Sequence, residues 1–495
     1  MSHVIEPALK PVTSVVRERY DCLIGGEWVG AESGKTFPTI NPATGETLAQ
    51  VPDCNARDVD RAVQAAHTAY PQWRRLTPAE RAGYCRRFAA RLRERTDVYS
   101  ALDALDCGSP VQMMRKDVAN AVNLLEYYAG LGVEIKGETI PTTSQSFNFT
   151  LREPYGVVAK IVPFNHPIMF CARLGAPLMA GNTVVLKPPE QAPLSALEMA
   201  HDIKDIFPPG VVNIVCGDGP GVGAPLVRHP LVRRIAFTGS VEVGREIMRA
   251  AADGLKTISL ELGGKNPMIV FPDANLDQAA ASAFNGMNYC WSQGQSCGST
   301  SRLFLHTEIH DAFLDRLLPK VKAVRLGMPI DPRTEMGCLI SQRHFDKVTS
   351  YIELGKKEGA ALMAGGGRPD DPDLARGFFV QPTIFDQVNQ SMRLAQEEIF
   401  GPVQSVITWK NPDEVLQMAN SVMYGLTASI WTRDFPAAFR MASEVEAGFV
   451  WINDSSKHYT GVPFGGYKQS GFGKEESMAD LLSYTQVKSV NVSLA

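Results

Sequence analysis

The chemistry-bearing residues of this chain gather around one thiol. Cys297 lies in Gln293-Gly294-Gln295-Ser296-Cys297-Gly298-Ser299-Thr300, with glycine nearby on both sides. Glycine lets backbone approach a bound group closely. Ser296, Ser299 and Thr300 are poor core formers, so the stretch reads as a loop or helix entry rather than a buried strand. A substrate could reach a thiol there, and neighbouring backbone amides would lower its pKa and favour the nucleophilic thiolate. A lone cysteine serves equally well as inert packing, so the other residues must supply its partners. Glu261 is one candidate. It stands in Ile258-Ser259-Leu260-Glu261-Leu262, and a carboxylate in an apolar strand is rarely buried unless partnered or functional. Burial would raise its pKa and suit it to general-base work; an ion pair with Lys265 is the alternative use.

The elements that must position these groups follow from pattern. From Gly156 the chain alternates strand, turn and helix: strand 157–162, helix 168–179, strand 183–187, helix 195–206, strand 211–215, strand 234–237 and helix 241–252. Short apolar strands alternating with helices imply βαβ units and a parallel sheet. Ligands of such sheets sit beyond the carboxyl ends of the strands, which is where Asn165, Lys187 and Glu190 fall. Gly217-Asp218-Gly219-Pro220-Gly221-Val222-Gly223 fails the strict G-x-G-x-x-G spacing; a plain turn and a phosphate loop both fit it. Ser240, after Thr238-Gly239, could cap the helix opening at Val241 and offer its hydroxyl and amides to a pyrophosphate, or could be a simple N-cap.

Elsewhere, Cys22 to Val29 reads as a hairpin turning at Gly25-Gly26, helical patterns dominate from Arg57 to about Leu131, and Glu80 to Arg95 is amphipathic. Residues 144–152 and 484–492 alternate polar and apolar, as half-buried strands do. They could pair with each other or with another subunit, and their edges mark an oligomerisation element. Residues 1 to about 20 read as a loose tail without an apolar run of signal-peptide type.

Composition narrows the class. The chain has 495 residues, a formal net charge of −4 and 44% hydrophobic content, an ordinary soluble profile with room for several domains. No basic cluster interleaved with aromatics suggests nucleic acid, and no apolar run approaches the length of about 18 residues that a membrane span needs. Nine dispersed cysteines without a CxxC pair argue for reduced thiols, a cytoplasmic location and no zinc site.

Seven motifs in one order carry a resemblance: Phe164-Asn165-His166-Pro167, Lys187-Pro188-Pro189-Glu190, Phe237-Thr238-Gly239-Ser240, Glu261-Leu262-Gly263-Gly264-Lys265, Gly294-Gln295-Ser296-Cys297, Glu398-Ile399-Phe400-Gly401-Pro402 and Pro463 to Gly471. From about residue 20 onward the chain closely resembles the NAD(P)-dependent aldehyde dehydrogenase superfamily. The resemblance implies an α/β fold with a Rossmann-like cofactor domain (1–138 and 156–262), an α/β catalytic domain (263–460) and a small β oligomerisation element (139–155 and 476–495). It implies Cys297 as nucleophile, Glu261 as general base and Asn165 as oxyanion donor, with no metal. For the cofactor it implies Ile161, Pro163, Phe164, Lys187, Glu190, Gly219, Gly223, Phe237, Gly239, Ser240, Leu262, Glu398 and Phe400. Glu190, which would accept from both ribose hydroxyls and repel a 2′-phosphate, indicates NAD over NADP.

By the same resemblance Phe170, Arg173, Trp291, Ser296, His458 and Phe464 should line the aldehyde tunnel. Its aromatic character indicates an aromatic or medium-chain aldehyde. Arg173, eight residues beyond Asn165, offers an alternative, a semialdehyde held by its remote carboxylate; the other use of Arg173 is a structural ion pair. A coenzyme A-acylating enzyme is a further alternative, against which Glu261 argues. The expected partners are a small-molecule aldehyde and further copies of the chain, as a homodimer or homotetramer.

Overall fold

The structure is a computed structural model and describes residues 16–494. The expected N-terminal tail lies mostly outside the described residues. Among those residues two large sheets organise the molecule. The first runs in the order Glu27–Val29, Cys22–Ile24, Val212–Ile214, Thr183–Lys187, Val157–Ile161, Val232–Thr238, Thr257–Glu261, Gly471–Phe472. Its central strands are parallel, and the edges added at both ends are antiparallel.

All five residues of Val157–Ile161 and of Thr183–Lys187 are buried. Helices cover both faces of such strands, which is why they read as continuous apolar runs rather than alternating ones. Each buried Val or Leu contributes about 1.5–3 kcal/mol, so the register that aligns Ile161 with Lys187 and with Phe237 is firmly held. The helix bounds follow local chemistry. Ser240 caps Val241–Ala252 by accepting from the Val243 amide at 3.3 Å. Thr77 and Glu80 form a reciprocal capping box on Pro78–Glu94. The hairpin turns at Gly25 and Gly26, where φ is +64° and +85°.

The helix expected over 168–179 is two short ones, Pro167–Cys171 and Gly175–Met179. The chain breaks between them. Gly175 packs so closely that a Cβ there would meet the Tyr128 ring at 2.9 Å, and the break turns Arg173 toward the C-terminal segment.

The second sheet runs Ala361–Ala364, Thr383–Asp386, Val403–Trp409, Arg302–His306, Pro267–Val270, Thr427–Trp431, Phe449–Ile452, with every pairing parallel except the first. The link 262–266 joins the last parallel strand of the first sheet to the second. Residues 146–154 and 485–493 pair with each other over nine positions, and Thr139–Ile140 adds a third strand. No helix among the described residues is long and apolar enough to cross a membrane.

Candidate active site

Glu261 is the last residue of its strand, paired with Thr238 of the neighbouring one. Cys297 lies on the loop entering Arg302–His306 of the other sheet. The link between the sheets therefore brings the two together: Cys297 Sγ stands 3.7 Å from Glu261 Oε2. The approach is tight. A Cβ on Gly264 would meet the Cys297 carbonyl oxygen at 2.3 Å, and one on Gly263 would meet the Glu398 carboxylate at 2.1 Å.

Asn165 leaves the strand Val157–Ile161 and donates from Nδ2 to the Gln295 carbonyl at 2.9 Å. Its other side-chain polar atom, Asn165 Oδ1, is buried with no hydrogen-bond partner among the described residues. Asn266 fixes the loop itself, donating to the carbonyls of Cys297 (2.7 Å) and Ser299 (2.9 Å) while accepting from the Thr427 amide. Left-handed residues at Asn288 (φ +55°) and Gln293 (φ +56°) bracket the one-turn helix Tyr289–Ser292.

The electrostatics reflect burial. Burial, then Glu475, pushes the Glu261 carboxyl well above the ordinary range, while Arg173 pulls it back in part. Burial also raises the Cys297 thiol, and Glu261 and Glu398 add to the rise. The expectation that nearby amides would depress this thiol is not met: the two carboxylates facing it outweigh them. The alternative pairing of Glu261 with Lys265 does not form either. Lys265 Nζ is buried with no hydrogen-bond partner among the described residues, and burial, aided by Arg302, brings its pKa down to about 7.

Most of the residues expected at a cofactor follow or end strands of the first sheet, while Glu398 and Phe400 precede Val403–Trp409 of the second. Ile161 ends its strand; Pro163 and Phe164 follow half-buried. Lys187 Nζ donates to Glu190 Oε2 at 3.1 Å, and its stem passes 3.8 Å from where a Gly223 Cβ would stand. The turn Gly219–Gly223 is wound under Asp218, which accepts from Gly221 at 2.6 Å. Phe237 packs on Gly239, and the Gly239 amide donates to the Glu261 carbonyl at 3.1 Å. Leu262 is buried against Gly244. Glu398 accepts from the Gly264 amide at 2.9 Å and is raised to about 7 by burial. Phe400, with φ +60°, meets Phe164 edge-on at 5.9 Å.

Of the residues expected at the tunnel, Phe170 and Phe464 are buried and Trp291 and Ser296 half-buried. His458 packs on Phe464 at 4.3 Å and pairs with Glu476 at 3.1 Å. Arg173 lies over the Phe170 ring but is bound to Glu475 (2.8 Å) and Glu476 (2.9 Å). Glu475 and Glu476, Asn266, Asp117 and His344 contact residues of the candidate site and were missed by sequence reasoning. His344 donates from Nε2 to the Phe400 carbonyl oxygen (2.6 Å) and joins the Phe164–Phe400 ring group. The signal for Glu475-Glu476 was a doubled acid directly after the Pro463 to Gly471 motif; nothing local marked Asp117. No group of three or more His, Cys, Asp or Glu among the described residues is arranged to hold a metal.

Comparison with known proteins agrees over nearly the whole length. Residues 28–490 match the model described as the aldehyde dehydrogenase family. Aldehyde dehydrogenase TropH of Talaromyces stipitatus is 47% identical over 496 residues, covering 99% of this chain and 96% of that protein. The NAD+ complex of an aldehyde dehydrogenase from Bacillus cereus is 41% identical with TM-score 0.95, covering 100% of both chains. A mutant of P. syringae AldA indole-3-acetaldehyde dehydrogenase, in complex with NAD+ and IAA, is 37% identical with TM-score 0.96, covering 99% of this chain and 100% of that one.

Proposed function

The chain belongs to the aldehyde dehydrogenase family, and on that premise we propose that it uses NAD to oxidise an aldehyde to a carboxylic acid, with Cys297 as nucleophile and Glu261 as general base. The observation that carries the reading is the 3.7 Å approach of Cys297 Sγ to Glu261 Oε2, with Asn165 Nδ2 held on the carbonyl of Gln295, two residues before the thiol. A dinucleotide would be held by residues of both sheets: Glu190 and Lys187 suit the adenosine ribose, the capped helix start at Ser240 suits the pyrophosphate, and Glu398 and Phe400 suit the other ribose. NAD, when bound, accepts the hydride released from the carbonyl carbon.

The chain's own groups do the rest. Cys297, as the thiolate, bonds through Sγ to the carbonyl carbon, and the carbonyl π electrons move to the oxygen as an oxyanion that takes hydrogen bonds from Asn165 Nδ2 and the Cys297 amide. One such donor contributes about 2.7–4 kcal/mol to the transition state. Once oxidation has left a thioester, Glu261 takes a proton from water, the hydroxide adds to the carbon, and the sulfur leaves with the acid released. A water-activating base here works against transfer to coenzyme A. Glu190 favours NAD over NADP, since it would repel a 2′-phosphate.

Because Arg173 already answers two carboxylates, the reading favours an aromatic or medium-chain aldehyde over a semialdehyde clamped by that arginine. The free state of all nine cysteines suits a reducing cytoplasm. The three-stranded sheet, with Phe147, Leu151, Val487 and Val492 exposed, suits a homodimer or homotetramer.

The test is transient kinetics of NADH release with an aromatic aldehyde. Cys297→Ala should lose both burst and turnover. Glu261→Gln should keep a burst of one NADH per site and slow steady turnover by about 10²–10⁴-fold. Steady turnover by Cys297→Ala, or a Glu261→Gln enzyme as fast as the parent, overturns the assignment.

A further inference from the structure

Asp117 is fully buried on the helix Val111–Gly130, and both of its oxygens are used on the substrate side of the site. Oδ2 pairs with His166 Nδ1 at 2.7 Å, and Oδ1 accepts from Trp291 Nε1 at 3.0 Å. The imidazole stands perpendicular to Trp291 at 5.7 Å and 6.1 Å from Phe170, between two rings expected beside the aldehyde. Its backbone neighbour Asn165 reaches the Cys297 loop. The other ring nitrogen, Nε2, makes no hydrogen bond among the described residues, and it is not one of the sealed polar atoms of the interior.

A buried carboxylate that spends one oxygen on each of two aromatic N–H groups fixes both rings against rotation. A carboxylate can only accept, so in the neutral ring it also fixes the histidine tautomer, with the proton on Nδ1 and a lone pair on Nε2. We propose that His166, positioned by Asp117, is a specificity-determining residue whose Nε2 selects aldehydes carrying a hydroxyl on the ring remote from the carbonyl. The proposal rests on the aldehyde dehydrogenase reading of Cys297. A hydroxyl donates to this lone pair, whereas a methyl ether at the same position cannot. A remote carboxylate would enter beside Glu475 and Glu476, whose charges Arg173 already balances. Asp117 acts through His166 and is a positioning residue.

The test uses full-length enzyme with NAD at one fixed pH and three aldehydes: benzaldehyde and its hydroxy and methoxy derivatives at one ring position. Comparing kcat/KM ratios between variants cancels the aldehydes' intrinsic reactivities. Against the parent, His166→Phe should lower the hydroxy-to-unsubstituted ratio by about tenfold, the scale of one hydrogen bond. Asp117→Asn keeps an acceptor for Trp291 but offers N–H to His166 Nδ1, which moves the ring proton to Nε2. It should raise the methoxy-to-unsubstituted ratio several-fold while the hydroxy ratio survives, an inversion that mere loosening of the site would not produce. Equal ratios in parent and His166→Phe, with all three aldehydes turned over, overturn the proposal alone. No NADH from the parent enzyme with any aldehyde overturns the dehydrogenase reading and this proposal with it. If Asp117→Asn fails to fold, His166→Phe still decides.

Discussion

At the residue scale the site is a set of buried charges held away from their solution behaviour. Glu261 must lose a proton before it can activate water, and burial with Glu475 raises its pKa. Turnover limited by thioester hydrolysis should therefore climb with pH along a limb lying above the ordinary carboxyl range of about 4.3. Arg173 stabilises the charged form, so Arg173→Gln should shift that limb to higher pH, as a kcat–pH profile would show; a shift to lower pH would contradict the electrostatics. Asn266 holds the nucleophile by its backbone carbonyl. Asn266→Ala frees the Cys297 loop, and a displacement of about 1 Å costs roughly 10²-fold in rate. The loss should appear in kcat, with KM for NAD nearly unchanged. Cys297 and Glu261 stood out as candidates in the sequence because each stands in a short run whose chemistry is odd for its element, and Asn165 because it falls beyond the carboxyl end of a strand. Asp117 did not: it is one acid among many on an amphipathic helix, and its partner His166 lies 49 residues away.

At the element scale, strands and helices from Val157 to Ala252 followed the sequence closely, because apolar runs, caps and glycine turns are local signals. The exception was the helix expected through Ala172, where a long-range demand prevailed. Arg173 must meet Glu475 and Glu476, some 300 residues on, and the break in the helix lets it do so. Burial alone would raise the Glu476 pKa, but His458 and Arg173 hold it down to about 2. A depressed carboxyl stabilises the fold above its unfolded pKa, so this contribution is complete near neutral pH. It fades as pH falls from about 4.3 toward 2. Arg173→Ala leaves a buried charge uncompensated and should destabilise by about 3–5 kcal/mol, visible as a lower denaturant midpoint. The link between the sheets is equally exacting: Gly264→Ala drives a Cβ into the Cys297 carbonyl, and a variant with full turnover would disprove that steric reading.

For the whole molecule, the two sheets meet at one seam and the seam is the site. The paired strands Ser146–Pro154 and Thr485–Ser493 stand apart from it, with apolar side chains in solvent. Exposed apolar groups on a strand edge invite pairing. Phe147→Asp with Val487→Asp should lower the mass measured by light scattering to that of a smaller species; an unchanged mass would place the assembly surface elsewhere.

The antiparallel edge strand Gly471–Phe472 has a consequence in time. It pairs with Leu260 and Glu261, and Ser470 ties the Leu262 amide and the Gly263 carbonyl from the same direction. A ribosome that has already delivered the nucleophile and the base has still to deliver the segment that braces them and the two acids that balance Arg173. Competence therefore waits for residues 470–476, and a nascent chain stalled before residue 470 should show no turnover, however long it waits.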